Sequence, residues 1–228
     1  MKKQLIIILL IFITILSCKK DKPDTPVDVG YSYYPNNIGH WVIYQVDSIV
    51  WDGNYNPPHI DTFNYKIKEY VESTFSDNSG RLTQRLERYI MRCDTCDWEI
   101  KDVWYLNLTP STAEKVEENQ RFIKLIFPVK LNATWKGNVY NTWDAWDYEY
   151  TSVNKPAQIN SLSFDSTLTV IQNHDSTLIN ADYSVESYAK HVGMIYKIFY
   201  HFDLDPVSTT DPIKNGVKYS YKIISWDN

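Results

Sequence analysis

Between residues 63 and 71 the chain changes character at nearly every step: Phe63, Tyr65, Ile67 and Val71 alternate with Asn64, Lys66, Lys68 and Tyr70. A two-residue period of this kind turns one face of a β-strand toward a core and the other toward water. The same alternation returns at Val42/Tyr44/Val46/Val50, Leu82/Leu86/Ile90, Ile100/Trp104/Leu106 and Ile123/Leu125/Phe127. Toward the end it runs through Met194/Tyr196/Ile198/Tyr200/Phe202 and Val217/Tyr219/Tyr221/Ile223. At least seven strands are predicted, built mostly from the Tyr, Trp, Ile, Val and Thr that suit a pleated surface.

Turn signals separate these runs at Asp52-Gly53-Asn54, Asp77-Asn78-Ser79-Gly80 and Asn215-Gly216, and Gly193 marks either a reversal or a bulge. Only residues 110–120 offer a helix start, with Ser111 or Thr112 as cap and Glu114 in the first turn, and they read equally well as a strand hairpin. The pattern predicts a mainly β fold: one large, twisted antiparallel sheet, curled into a half-barrel or packed as a sandwich, with at most one or two short helices. A weak internal echo runs through it. Residues 33–44 and 126–140 each give an aromatic residue, a proline, an apolar residue three positions on and a Trp six or seven positions after the proline.

The N-terminus follows a different rule. Met1-Lys2-Lys3 is a positive head, Leu5 to Leu16 is almost unbroken Leu, Ile and Phe, and Ser17-Cys18 closes the run. Such a run is shorter than the roughly 20 residues a membrane span needs, so residues 1–17 read as a secretory signal. The quartet Ile15-Leu16-Ser17-Cys18 resembles the bacterial lipobox, although Leu16 is larger than the usual residue there. That resemblance implies cleavage before Cys18 and attachment of diacylglycerol and fatty acyl chains such as palmitate, each buried methylene adding about 0.8 kcal/mol of membrane affinity. Residues 18–30, charged and carrying two prolines, read as a tether, and residues 31–228 as a single domain.

Loss of Lys2 and Lys3 with the signal moves the formal charge from −5 to −7, 21 basic residues against 28 acidic ones. No basic stripe is present, and nucleic acid is not an expected partner. The expected partners are the membrane, through the anchor, and a glycan, a lipid or another envelope protein.

Candidate chemistry is sparse. The Cys93-Asp94-Thr95-Cys96 pair could be a redox dithiol, half of a zinc site or a structural disulfide. Its flanks read as strands, no further zinc ligands are in view, and an oxidising compartment favours the disulfide at a hairpin tip. His201, Asp203 and Asp205 alternate, so on a strand they would share a face able to hold a cation or a sugar hydroxyl, or simply end a strand before Pro206.

Residues 141–152 interleave Trp143, Trp146, Tyr148 and Tyr150 with Asp144, Asp147 and Glu149, rings and carboxylates of the kind that stack on and bond a sugar. Trp143, Trp146, Asp147 and Glu149 are the candidate ligand-binding residues. A carboxylate pair within 144–149 would also suit glycan hydrolysis. Nucleophile elbow, HExxH, P-loop and dinucleotide motifs are absent, so no catalytic residue, metal or cofactor is assigned.

Residues 33–48, 127–141 and 184–197 together resemble a group of uncharacterised Bacteroidetes lipoproteins with a β-rich body, where a Pro-x-x-x-Gly-x-x-Trp start and a Tyr-Ala-Lys-Gly-Val-Gly end recur. His191 stands where the first glycine of that ending is expected. The resemblance implies a fold and a compartment, the cell envelope with the chain anchored to the outer membrane, and no reaction. It brings with it a short acceptor pattern for O-glycosylation, matched at Ser48, Ser166 and Ser176. By analogy of fold alone, a concave sheet of this kind is compared with LolA/LolB-like carriers, which implies a groove for a hydrophobic ligand.

Overall fold

The computed structural model describes residues 27–208 and 212–227; the signal segment, Cys18 and tether residues 19–26 lie outside the described residues. The first six strands are β1 (Trp41–Asp52), β2 (His59–Ser76), β3 (Leu82–Met91), β4 (Glu99–Leu108), β5 (Thr112–Glu117) and β6 (Gln120–Ile126). The second six are β7 (Thr134–Lys136), β8 (Asp147–Ile159), β9 (Leu162–Ser176), β10 (Asn180–Ala189), β11 (Gly193–Leu204) and β12 (Ile213–Trp226). All belong to one antiparallel sheet in the order β6-β5-β4-β3-β2-β1-β12-β11-β10-β9-β8-β7.

The sheet curls beyond the expected half-barrel into a nearly closed barrel. Its seam lies between the edge strands β6 and β7, and exposed edges invite unwanted pairing. Here the edge is occupied: the Ile123 N–H reaches Gly137 O at 2.7 Å and the Trp135 indole N–H reaches Ile123 O at 2.9 Å. The Tyr150 hydroxyl bridges both backbone groups of Ile126, at 2.9 and 2.8 Å. One backbone bond and the Trp135 and Tyr150 side chains together do at the seam what ladders do elsewhere.

Strand order repeats with a step of six, because β1 and β7 each open a meander of six strands around the barrel. The two sequence echoes lead into those strands, with Trp41 starting β1 and Trp135 inside β7. Residues 112–117, which also read as a helix start, form β5 in a hairpin with β6. Among the described residues the helical content is a 3-10 turn at Tyr31–Tyr33.

That turn belongs to a strap, residues 27–40, which covers one end of the barrel. Tyr33 and Tyr34 are buried under it against Leu125, Leu168 and Tyr188. The Val129 N–H bonds Val29 O at 3.0 Å and the His191 N–H bonds Ser32 O at 2.6 Å. His191 takes φ +65° in the tight turn between β10 and β11, so a left-handed histidine, tied down by the strap, does the work of the absent glycine. The other end of the barrel carries the β3–β4 hairpin tip and the long β7–β8 loop. The Cys93–Cys96 disulfide closes that hairpin tip.

Asn215-Gly216 is not a turn; it lies within β12, which begins at Ile213, and β11 ends at Leu204. Gly216 sits opposite Phe202 and Trp51, with φ +142°, and a Cβ there would meet His201 O at 2.2 Å. Gly137 has a different reason: a Cβ would enter the buried Tyr148 ring at 2.2 Å. Gly137→Ala is expected to cost about 1–3 kcal/mol through overpacking, read as a lowered urea midpoint with an unchanged slope. Cys93→Ser should speed amide exchange across residues 92–98 while leaving the global melting transition nearly in place, since so short a loop restricts the unfolded chain little.

Candidate functional site

Strand parity determines what fills the barrel. Directly opposed residues in an antiparallel pair share a face, and Val42↔Glu69, Tyr44↔Ile67 and Val46↔Tyr65 carry the inward row from β1 to β2. The row therefore contains a glutamate among apolar residues. β3 does the same with Leu86 and Arg88, and β10 with Ser184, Glu186 and Tyr188. The lumen holds a cavity of about 410 Å³ walled by aromatic rings, aliphatic side chains and these charges.

The charges form two clusters. In the first, Arg88 is nearly wholly buried: its Nε donates to Glu69 Oε1 at 3.1 Å, and its Nη1 to both Asp102 oxygens at 2.8 and 3.0 Å. Its guanidinium lies 3.5 Å from the centre of the Trp104 ring, a cation–π contact favoured where water is excluded. Lys115 Nζ donates to the two Glu69 oxygens at 3.2 and 3.1 Å. In the second cluster, Glu186 Oε1 accepts from Lys124 and Lys197, both at 3.0 Å, while Tyr188 donates to its other oxygen at 2.5 Å. Lys124 also reaches Glu117 at 2.9 Å. The second cluster holds two acids and two bases; the first holds two acids and, with Lys101 on Asp102, three bases.

Burial by itself would raise the Glu186 carboxyl, but Lys124 and Lys197, helped by the hydrogen bond from Tyr188, hold it well below the usual carboxylate range. Glu117 is lowered for the same reason, with burial opposed first by Lys124 and then by Lys197. Burial likewise disfavours the charged ammonium groups, yet Glu117 and Glu186 raise Lys124, and Glu186 chief among its partners raises Lys197. All four groups stay ionised across the neutral range.

Three β-bulges help to build the wall. Arg88 opposes Asp102 while Tyr89 opposes Ile100, leaving Lys101 as the extra residue; Lys124 is extra between Ile123 and Leu125; and Gln172 is extra between Ile171 and Asn173. All three line the cavity. A bulge re-aims a side chain without moving the sheet, and in this barrel it aims polar ones inward.

The cavity is closed beneath the strap by buried Tyr34 and Val192 and opens at the opposite end, where Lys101, Glu118 and Trp143 are exposed. The structure brings Trp143 and Trp146 together there, ring centres 6.4 Å apart, on the β7–β8 loop. Trp143 is 54% exposed. Asp147 and Glu149 alternate with the inward Tyr148 and Tyr150 and so occupy the outer face, Asp147 paired to Lys136 at 2.7 Å.

His201, Asp203 and Asp205 do not form a cluster. His201 pairs with Asp182 at 2.6 Å, Asp203 accepts from the Asn180 and Asn215 amides, and Asp205 lies past β11 in a turn. Among the described residues no group of three or more His, Cys, Asp or Glu is arranged to hold a metal ion. Ser48 is half-buried within β1, the Ser166 hydroxyl bonds Tyr33 and Asn154, and Ser176 is exposed at the end of β9.

The lumen charges escaped the strand pattern because a Glu or Arg counts as polar wherever it points. The available signal was phase: Glu69 is in step with Tyr65, Ile67 and Val71, and Arg88 with Leu86 and Ile90.

No family model matches the chain, and no curated protein matches it. Among solved structures, a Bacteroides fragilis protein of predicted export and YmcC-like fold aligns with 86% of this chain and 98% of its own length, at 7% identity and a TM-score of 0.40. Similarity of that degree assigns neither a family nor an activity.

Removing one partner from a buried pair leaves the other uncompensated. Glu186→Gln should therefore cost about 3–5 kcal/mol, measured by urea unfolding at pH 7. Lowered carboxyls also determine the pH response. The stability contributed by Glu117 and Glu186 is in full force above their unfolded value of 4.5 and is lost as pH falls from there through the lowered folded values. Acid unfolding followed by near-ultraviolet circular dichroism should show this loss below pH 4.5, and Glu186→Gln should flatten it.

Proposed function

We propose that this chain is a lipid-anchored protein of the cell envelope that binds a short glycan inside its barrel, without catalysing a reaction. One observation carries the reading: Trp143 and Trp146, on a single loop, stand at the mouth of an interior cavity whose wall combines aromatic faces with hydrogen-bonding groups. Rings stack on the carbon face of a sugar while polar groups meet its hydroxyls, and a cavity of about 410 Å³ falls in the range of small-molecule sites.

The placement of the strap supports the same reading. Cys18 precedes the strap by nine residues, and the strap covers the closed end, so an anchor there would hold the mouth away from its own membrane. A tether of nine residues spans at most about 30 Å. Ligands would arrive from the side facing away from that bilayer, which suits a soluble glycan better than a lipid drawn from it.

The hydrolase alternative gains no support. Asp147 and Glu149 are on the outer face, and an acid catalyst needs a carboxyl raised toward neutrality, whereas Glu117 and Glu186 are lowered. The carrier alternative rests on the largely aromatic and aliphatic wall; a bound lipid, extracted after purification, would decide for it. Of the three candidate glycosylation serines, Ser176 is the one whose position suits modification.

Titration with cellobiose, maltose and lactose should quench tryptophan fluorescence for at least one of them. Trp143→Ala should weaken that binding about tenfold or more, the equivalent of about 1.4 kcal/mol, with little change in melting temperature because the ring is half exposed. Intact-mass measurement of membrane-extracted protein should find the acyl addition on Cys18; a chain starting elsewhere would remove the anchor from the proposal.

A further inference from the structure

Among the described residues two buried amides have an end without a hydrogen-bond partner, Gln84 and Gln172, and of the two Gln172 lines the cavity. It is 2% exposed and lines the cavity, yet its amide nitrogen has no hydrogen-bond partner. Its amide oxygen accepts from the Ser184 hydroxyl at 2.8 Å. A hydroxyl donates or accepts, so whichever way the amide is turned, one end meets Ser184 and the other is left without a partner in the cavity wall. Buried amides are almost always satisfied at both ends.

Its backbone is also unusual. Val185 opposes Ile171 and Ser184 opposes Asn173, so Gln172 is the extra residue of a bulge in β9. The other two bulge residues on the wall have ionic partners, Lys124 with Glu117 and Glu186, and Lys101 with Asp102. Gln172 alone among the three is aimed inward with capacity to spare.

From this geometry we infer that Gln172, oriented by Ser184, is the polar anchor of the pocket and reads a hydroxyl of an uncharged sugar. The inference rests on the glycan reading above and narrows it. A hydroxyl satisfies either end of the amide, which a carboxylate or an ammonium does not. The acids and bases of the two interior clusters are already paired with each other, so a charged ligand beside them would have to break an existing pair, whereas a neutral polyhydroxy ligand needs only the open amide and the rings at the mouth.

The test is tryptophan-fluorescence titration of the full chain with cellobiose, maltose and lactose as neutral probes, and with digalacturonate as an acidic one, alongside thermal melting without ligand. The native protein should bind a neutral probe at least tenfold more tightly than digalacturonate. Gln172→Leu should lose at least tenfold in affinity for that probe while melting close to the native temperature, because removal of an unpaired buried amide offsets the Ser184 hydroxyl left without its acceptor. Ser184→Ala, which frees the amide to rotate, should lose about threefold. If Gln172→Leu binds the neutral probe as the native protein does, or melts well below it, Gln172 is not a recognition residue. Preference for digalacturonate would overturn the uncharged-ligand inference and leave the glycan reading standing. Failure of the native protein to bind any of the four would remove both.

Discussion

The carboxylate of Glu186, held between Lys124 and Lys197 inside the barrel, is the contact on which the rest of this structure depends. Isolated, any one of these ions would cost several kcal/mol to bury, and the pairing must recover that cost through geometry. Lys197 stands directly opposite Glu186 on the neighbouring strand β11, whereas Lys124 comes from β6, eight places from β10 in the sheet order. Lys124 reaches Glu186 only because the sheet curls until its first and last strands approach each other. Opening the barrel would leave charges facing each other across water, and closing it without the charges would leave polar backbone bulges with nothing to hold.

This arrangement explains why the lumen is neither an oil-filled core nor an open channel. Apolar packing under Tyr33 and Tyr34 seals one end, and the paired ions with Trp104 line the middle. The rings of Trp143 and Trp146 stand at the other end. A wall that is matched acid to base exerts little net pull on ions. Such a wall suits the proposed neutral glycan, for which the open amide of Gln172 would supply a hydrogen bond.

The seam between β6 and β7 shows how the barrel ends without a continuous ladder. Trp135 and Tyr150 reach across with side-chain donors and acceptors that supplement a backbone bond from Ile123 to Gly137. The same half of the chain was the harder one to read from its pattern: β8 carries Pro156 beside register shifts, and β10 presents Ser184 and Glu186 to the interior where an alternating strand would show apolar residues. A third weak element, β7, has only three residues.

The amino-acid sequence by itself determined the β class, seven of the strands, the turns at Gly53 and Gly80 and the hairpin-tip position of the cysteines. Each of these follows from local chemistry, since side-chain alternation, turn residues and a short loop act over a few positions. It also pointed to Trp143 and Trp146, because an aromatic cluster in a loop is visible without a fold. Only the tertiary structure decided that Asp147 and Glu149 face outward, that Gly216 lies in a strand, and that Glu69, Arg88, Lys124 and Glu186 face inward. The reason is physical: a charge can be buried only beside its partner, which Glu69 and Arg88 find across neighbouring strands and which Lys124 finds in Glu186 only when closure of the barrel brings β6 and β10 together.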